Sequence, residues 1–148
     1  METAWWWRMI WQLKCPLKSK IFCWFLFSGK ALTWDILRKK GWEGPGHCYL
    51  CKLVAETNFH LGVDYPFTKS VWREIESKLK IKKLWFGDSI LSCMKNWCFN
   101  DKVKQIRSLP AIVTWFIWKA RNHRCFDDFT PSPAQVSASN LGLLYSYP

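Results

Sequence analysis

The stretch Leu17-Lys-Ser-Lys-Ile-Phe-Cys-Trp-Phe-Leu-Phe27 decides the reading of the fold. It is dense in large apolar residues, with Lys18 and Lys20 at its start. Pro16 precedes it, and proline suits a first helical position because its missing N–H would have no intrahelical partner there. After Gly29 the pattern predicts a second helix. Thr33 can cap it, Trp34, Ile36 and Leu37 pack, and Arg38, Lys39 and Lys40 favour its C-terminal dipole before Gly41 ends it. The two together read as a helical hairpin.

Downstream, residues 43–65 hold Gly44, Pro45, Gly46, Cys48, Cys51 and His60 with little helical period, so they read as a loop or small knuckle. Pro66 and Phe67 lead to Thr68, an N-cap candidate. Val71, Trp72, Ile75 and Leu79 then recur at helical spacing, and Phe67 against Trp72 could staple the helix start. Gly87 and Asp88 open a further helix through Trp97. Another starts near Asp101, is kinked or restarted at Pro110, and runs towards Arg124. From Phe129 to Pro148 there is no charged side chain, and Ser, Pro and Ala are frequent, so a disordered tail is expected. The predicted fold class is mainly α: a small helical domain with an inserted Cys/His zinc-knuckle loop and a disordered C-terminal tail. Its expected divisions are 1–86 with the knuckle at 43–65, a helical extension over 87–128, and the tail over 129–148.

The 148 residues suffice for one domain, or one small domain and a tail, and exclude a full polymerase. Lys and Arg number 22 against 11 Asp and Glu, a net charge of +11, which favours a polyanionic partner. The basic charge flanks the slightly acidic segment 43–65. Twelve Trp exceed what an ordinary core of this size needs. Seven Cys is an odd number, which argues against a closed disulfide framework, and no signal peptide is visible. A reducing, intracellular setting, nuclear or cytoplasmic, is therefore expected, where thiols serve as metal ligands or inert core residues. The apolar runs Ile21 to Phe27 and Ala111 to Trp118 are far below the ~20 residues a bilayer span requires. Trp5, Trp6 and Trp7 beside Arg8 carry only a weak interfacial signal, and no membrane partner is expected.

The chemistry concentrates in Cys48-Tyr-Leu-Cys51 and His60. Two thiolates separated by two residues can grip one metal from a tight turn, and a later His can close a tetrahedral zinc site. The alternative is a pair of core thiols. Around this motif stand Trp11-Gln-Leu-Lys-Cys-Pro16-Leu-Lys-Ser-Lys20, Phe22-Cys-Trp24, Ala31-Leu-Thr-Trp-Asp-Ile-Leu37 and Lys40-Gly41. Glu56-Thr57, His60-Leu61, Pro66-Phe67 and Val71-Trp72 follow in order. Further on comes Trp115-Phe-Ile-Trp118-Lys-Ala-Arg121-Asn122. This series resembles the zinc-binding domain that follows the reverse transcriptase in plant LINE-type (non-LTR) retroelement proteins, well over residues 8–80 and more loosely over 111–127. The resemblance implies zinc as cofactor and Cys48, Cys51 and His60 as ligands.

One departure bears on the site. The family pattern ends His-x-x-x-x-Cys-Pro-Phe, whereas this chain reads His60-Leu-Gly-Val-Asp-Tyr65-Pro-Phe67. A phenol with a pKa near 10 is a poor zinc ligand beside a thiolate. Asp64 could supply an oxygen in its place, or His47 could swing in; a weakened site and no site both stay open.

No catalytic residue is expected. The adjacent carboxylates Asp127 and Asp128 follow Phe126 outside any strand-like hairpin, and His123 reads as an exposed helix residue. No Gly-rich phosphate loop and no Gly-x-Ser-x-Gly elbow appears, so no small-molecule substrate is expected. The chain stops about where similar retroelement proteins continue into a ribonuclease-H-like domain. Cys15, Cys23, Cys93, Cys98 and Cys125 lack metal-type spacing and read as core or surface thiols. Basic residues interleaved with aromatics suit RNA or single-stranded DNA, with Lys14, Lys18, Lys20, Lys30, Lys52, Arg73, Lys80, Lys82 and Lys83 as candidates. The alternatives are a solvated face and a helical protein-interaction or vestigial domain that has lost both ligands. Trp24, Trp72, Trp115 and Trp118 fall at helical core positions.

Overall fold

The computed structural model describes residues 3–44, 54–127 and 131–146. Seven α-helices occur among them: α1 (Thr3–Gln12), α2 (Leu17–Phe27), α3 (Trp34–Lys39), α4 (Pro66–Leu79), α5 (Ile90–Cys98), α6 (Leu109–Asp127) and α7 (Pro133–Tyr145). A π-helical turn, His60–Asp64, precedes α4, and a 3-10 turn, Asp101–Ile106, precedes α6. No strand is present among the described residues, in agreement with the mainly α reading.

The long helix α6 is the axis of the fold. Leu109, Ala111, Ile112, Val113, Ile117 and Ala120 are all buried, because α2 packs on one side of it and α7 on another. Pro110 lies in the first turn of α6, where it disturbs no helical hydrogen bond, so the helix restarts there as the sequence indicates. Helix α7 also packs on α4, and the π-turn touches α4, α5 and α6. None of the described helices is long and apolar enough to cross a membrane.

Part of the tryptophan excess is structural, since Trp6, Trp72, Trp85 and Trp97 are buried. Trp6 meets the edge of Phe27, with centroids 5.6 Å apart, while Trp72 stacks on Trp85 and leans on Trp97, each at 5.6 Å. Buried indoles need partners for their N–H groups. Trp85 Nε1 donates to the Gly62 carbonyl at 2.9 Å, and Trp97 Nε1 to the Arg107 carbonyl at 3.2 Å. Trp72 is core as expected, but Trp24, Trp115 and Trp118 are only half-buried.

Four sequence-based expectations are corrected. The expected disordered tail contains α7, with Val136, Ser137, Asn140 and Leu144 buried. Ser132 and Gln135 form a reciprocal capping box, and Pro133 lies in the first turn. Disorder is favoured by high net charge and low hydrophobicity; an uncharged segment with apolar residues can instead dock.

The expected helical hairpin is also absent. Helix α3 has no buried residue and no extensive packing on α2; a groove separates the two. Thr68 is not the N-cap of α4: Tyr65 holds that place with Pro66 in the first turn, and the Thr68 hydroxyl donates to the Leu61 carbonyl at 2.7 Å. Finally, the second half of the expected knuckle loop is helical, since 58–59 lead into the π-turn.

The docking of α7 has a direct test. Truncating Leu144, which is 5% exposed, to Ala should destabilise the chain by about 2–5 kcal/mol in urea unfolding. A disordered tail would give no change.

Candidate functional site

His60 and Asp64 are brought together by the π-turn. An α-helical ladder loops back four residues, whereas here the Tyr65 N–H reaches the His60 carbonyl at 2.6 Å, five residues back. Such wide turns occur frequently at functional sites. The Thr57 hydroxyl accepts from the His60 N–H at 3.0 Å and fixes the start of the turn. The buried imidazole then lies with Nδ1 3.8 Å from the Asp64 carboxylate, whose other oxygen is 3.2 Å from Lys69 Nζ. Burial pushes the His60 pKa below its ordinary value, and the Asp64 charge opposes the shift without overcoming it. Imidazole is thus held in the neutral form that can bind a metal.

Tyr65 is 4% exposed, its ring stacked on Phe67 at 5.8 Å and tilted against His60 at 5.8 Å. The position of the family thiolate is therefore filled by an aromatic that belongs to the packed start of α4. Two ligands of one tetrahedral zinc, at nitrogen and oxygen bond lengths, lie about 3.4 Å apart. The His60–Asp64 pair is within a small side-chain adjustment of that spacing, so neutral imidazole and carboxylate fit zinc as a donor pair. Cys48, Cys51, His47 and Lys52 lie outside the described residues. No group of three His, Cys, Asp or Glu suited to a metal occurs among the described residues.

Both ends of the segment that carries Cys48 and Cys51 close on Trp34. At the near end Gly44 lies so tightly on the Trp34 indole that an added Cβ would overlap the ring. At the far end Glu56 Oε1 accepts the Trp34 backbone N–H at 2.9 Å, and the Glu56 carbonyl accepts the Asp35 N–H at 3.3 Å. These are orphan donors in the first turn of α3, and a carboxylate is favoured there. Asn58 adds two bonds to the same corner, to the Thr33 hydroxyl at 2.9 Å and the Ala31 carbonyl at 3.3 Å. Thr33 turns its own hydroxyl to the Asp35 carboxylate.

Glu56 also makes the deepest ion pair described. Arg121 Nη2 donates to Oε1 at 2.7 Å and Nε to Oε2 at 3.0 Å, with side-chain exposures of 4% and 0%. The guanidinium lies 4.8 Å over the Trp118 ring, and Nη1 donates to Asn122 Oδ1 at 2.9 Å. One carboxylate therefore ties the stretch before the π-turn, the N-terminus of α3 and the second half of α6.

Between α2, α3 and α6 lies a groove of about 720 Å³. Its walls are Lys18, Ile21, Phe22 and Phe25 of α2, Gly29 to Leu32, Ile36 and Lys40 on the α3 side, and Trp115 and Trp118 of α6. Phe22 stacks on Trp118 at 5.3 Å, so the floor is aromatic. No acidic residue lines it among the described residues. Beside it Lys119 Nζ sits 4.2 Å over Phe116 and 5.5 Å over Trp115, and partial burial, with Lys18 nearby, lowers its pKa.

The predicted basic residues separate into groups. Lys18 and Lys30 reach the groove, and Lys30 Nζ lies 5.6 Å over Trp24. Lys20 is directed elsewhere, donating to the Trp11 carbonyl at 3.3 Å. Lys14 lines a separate cavity with Lys104 and Arg107. Arg73 is exposed on α4; Lys80, Lys82 and Lys83 follow that helix, where Glu76 Oε2 draws the segment back by accepting the Leu84 N–H at 3.0 Å. The sequence reading assigned Lys40 only to the α3 dipole and left Lys119 unassigned. For Lys119 a signal existed, since it follows Trp115 by four residues on one helix face. Three of the described cysteines are core thiols: Cys15, Cys23 and Cys93 are buried, and burial pushes Cys15 up to about 11 and Cys93 up to about 12, while Cys98 and Cys125 are half-buried.

Replacing Arg121 by Ala strands a buried carboxylate and should cost about 3–5 kcal/mol in chemical unfolding. Arg121→Lys should recover only part of that, because an ammonium cannot make the two-pronged contact. Gly44→Ala should lower stability in urea unfolding, because the added Cβ would push Gly44 off the Trp34 ring.

No match was found among curated proteins or among solved structures. Residues 1–72, from α1 into the first half of α4, match the family described as zinc-binding in reverse transcriptase, so this part of the chain is similar to a zinc-binding domain of reverse-transcriptase type.

Proposed function

We propose that the chain is a non-catalytic zinc-binding module derived from a retroelement polyprotein of the plant LINE type, and that it binds RNA or single-stranded DNA. The observation that carries the metal part is the neutral, buried His60 beside Asp64, just downstream of the Cys-bearing segment whose two ends meet at Trp34. Cys48, Cys51 and His60 would hold the zinc, with Asp64 as the fourth ligand in place of the thiolate absent at Tyr65. Zinc in such a set is structural: it cross-links a short segment and performs no chemistry of its own on a substrate. Nucleic-acid binding is supported by the net charge of +11 and by lysines gathered around aromatic rings.

A second reading, a helical protein-interaction or vestigial domain without metal, draws on the buried packing of Tyr65 against Phe67. Losing one of four strong ligands removes several of the roughly 10–16 kcal/mol that a structural zinc contributes.

Elemental analysis of the purified chain separates the two. One zinc per chain, lost in Cys48→Ser and bound at least about 10-fold more weakly in Asp64→Ala, is expected for the first reading. Tyr65→Cys should then raise zinc affinity further. Zinc absent from the natural chain but acquired by Tyr65→Cys would establish the second.

A further inference from the structure

We infer that the groove between α2, α3 and α6 is the stacking site for bases of a single-stranded nucleic acid, with Lys18, Lys30 and Lys40 holding its phosphates. The inference rests on the nucleic-acid-binding reading above and gives it a place in the fold. Helices α2 and α3 would close on one another if they formed a packed hairpin. They are held apart instead, because α3 is fastened at its N-terminus to Glu56 and Asn58 rather than along α2. The space left open is apolar and aromatic, yet rimmed with ammonium groups.

Its size and chemistry fit bases better than a helix of another protein. A volume of about 720 Å³ holds a few stacked planar rings, and Phe25 offers an exposed face at 39% exposure. The three lysines come from two walls, so a backbone lying along the rim meets positive charge on both sides. Among the described residues, no carboxylate lines the groove to repel a phosphate or to neutralise the lysines. Partial burial and the nearby Lys18 both disfavour the charge on Lys119, and a phosphate between the two ammonium groups would relieve their repulsion. A duplex would not enter: its bases are already stacked and paired, whereas single strands expose both ring faces.

The test is fluorescence anisotropy of labelled oligouridylate and oligothymidylate of about 12 nucleotides, within the span of one small binding module. The full-length natural chain should bind with an affinity that falls as salt is raised. Lys18→Gln/Lys30→Gln/Lys40→Gln should flatten the log–log salt slope by up to about 2, since each phosphate contact on a single strand contributes ~0.7. Phe25→Leu, which keeps an apolar side chain but removes the ring, should weaken binding about 5- to 150-fold with the slope unchanged. Circular dichroism confirms that each variant is folded. Acetylation footprinting of the natural chain supplies a check independent of variants, with Lys18, Lys30 and Lys40 protected by the oligonucleotide.

If the natural chain binds but Lys82→Gln/Lys83→Gln abolishes binding while the groove variants do not, the groove assignment fails and the nucleic-acid reading stands. If no binding occurs at low salt, both fall. Equal affinity for polyglutamate, insensitive to Phe25→Leu, would make the groove a site for acidic peptides and overturn the inference. So would a dimer that Phe25→Leu dissociates in the absence of nucleic acid.

Discussion

The buried pair Glu56–Arg121 is the interaction around which the described structure is arranged. Taking two such ions out of water costs several kcal/mol each, and their attraction offsets this only with good geometry and further hydrogen bonds. Both conditions hold. The two-pronged contact satisfies both carboxylate oxygens, Glu56 accepts a third bond from the Trp34 N–H, and the guanidinium is completed by Asn122 and the Trp118 face. The residues are 65 apart in the chain. Net stabilisation from such a pair is small; its effect is to select one arrangement, because any other leaves a buried charge without its partner.

That arrangement has consequences on both sides of the carboxylate. Towards the π-turn, Glu56 is four residues before His60, and Thr57 beside it accepts the His60 N–H. Towards α3, the same carboxylate anchors a six-residue helix that has no buried side chain of its own. Helix α3 is thereby held across the aromatic floor and not against α2. The corner that holds α3 and the π-turn that holds His60 are thus carried by one short stretch, residues 56–58.

The body of the fold has an apolar core from α1 to α7 that is independent of the ligand set. This distinguishes the chain from small zinc domains that are unfolded without metal because they lack such a core. Tyr65 illustrates the difference. Where the related pattern has a thiolate, this chain has a ring packed on Phe67 at the start of α4, so the position contributes burial whether or not a metal is present. Substitution at a ligand position is tolerable when the surrounding helices carry the stability.

The sequence by itself determined the helical class, the boundaries of α2, the C-terminal end of α4, the restart at Pro110 and the similarity of the N-terminal part to a zinc-binding domain. These follow from local rules: apolar spacing, proline at helix starts, and the order of Cys, His and Trp landmarks. Tertiary structure decided the rest. Helix α7 was illegible because an uncharged Ser- and Ala-rich segment looks alike whether solvated or docked, and only the faces of α4 and α6 settle which. The absent hairpin was illegible because two adjacent helices pack together unless something distant holds one away, and Glu56 and Asn58 do so here. Glu56 and Arg121 were visible as landmarks, but their pairing across the chain carries no local signal. Which lysines meet which rings was hidden for the same reason: a helix face is legible from periodicity, whereas the surface opposite it depends on contacts between residues far apart in sequence.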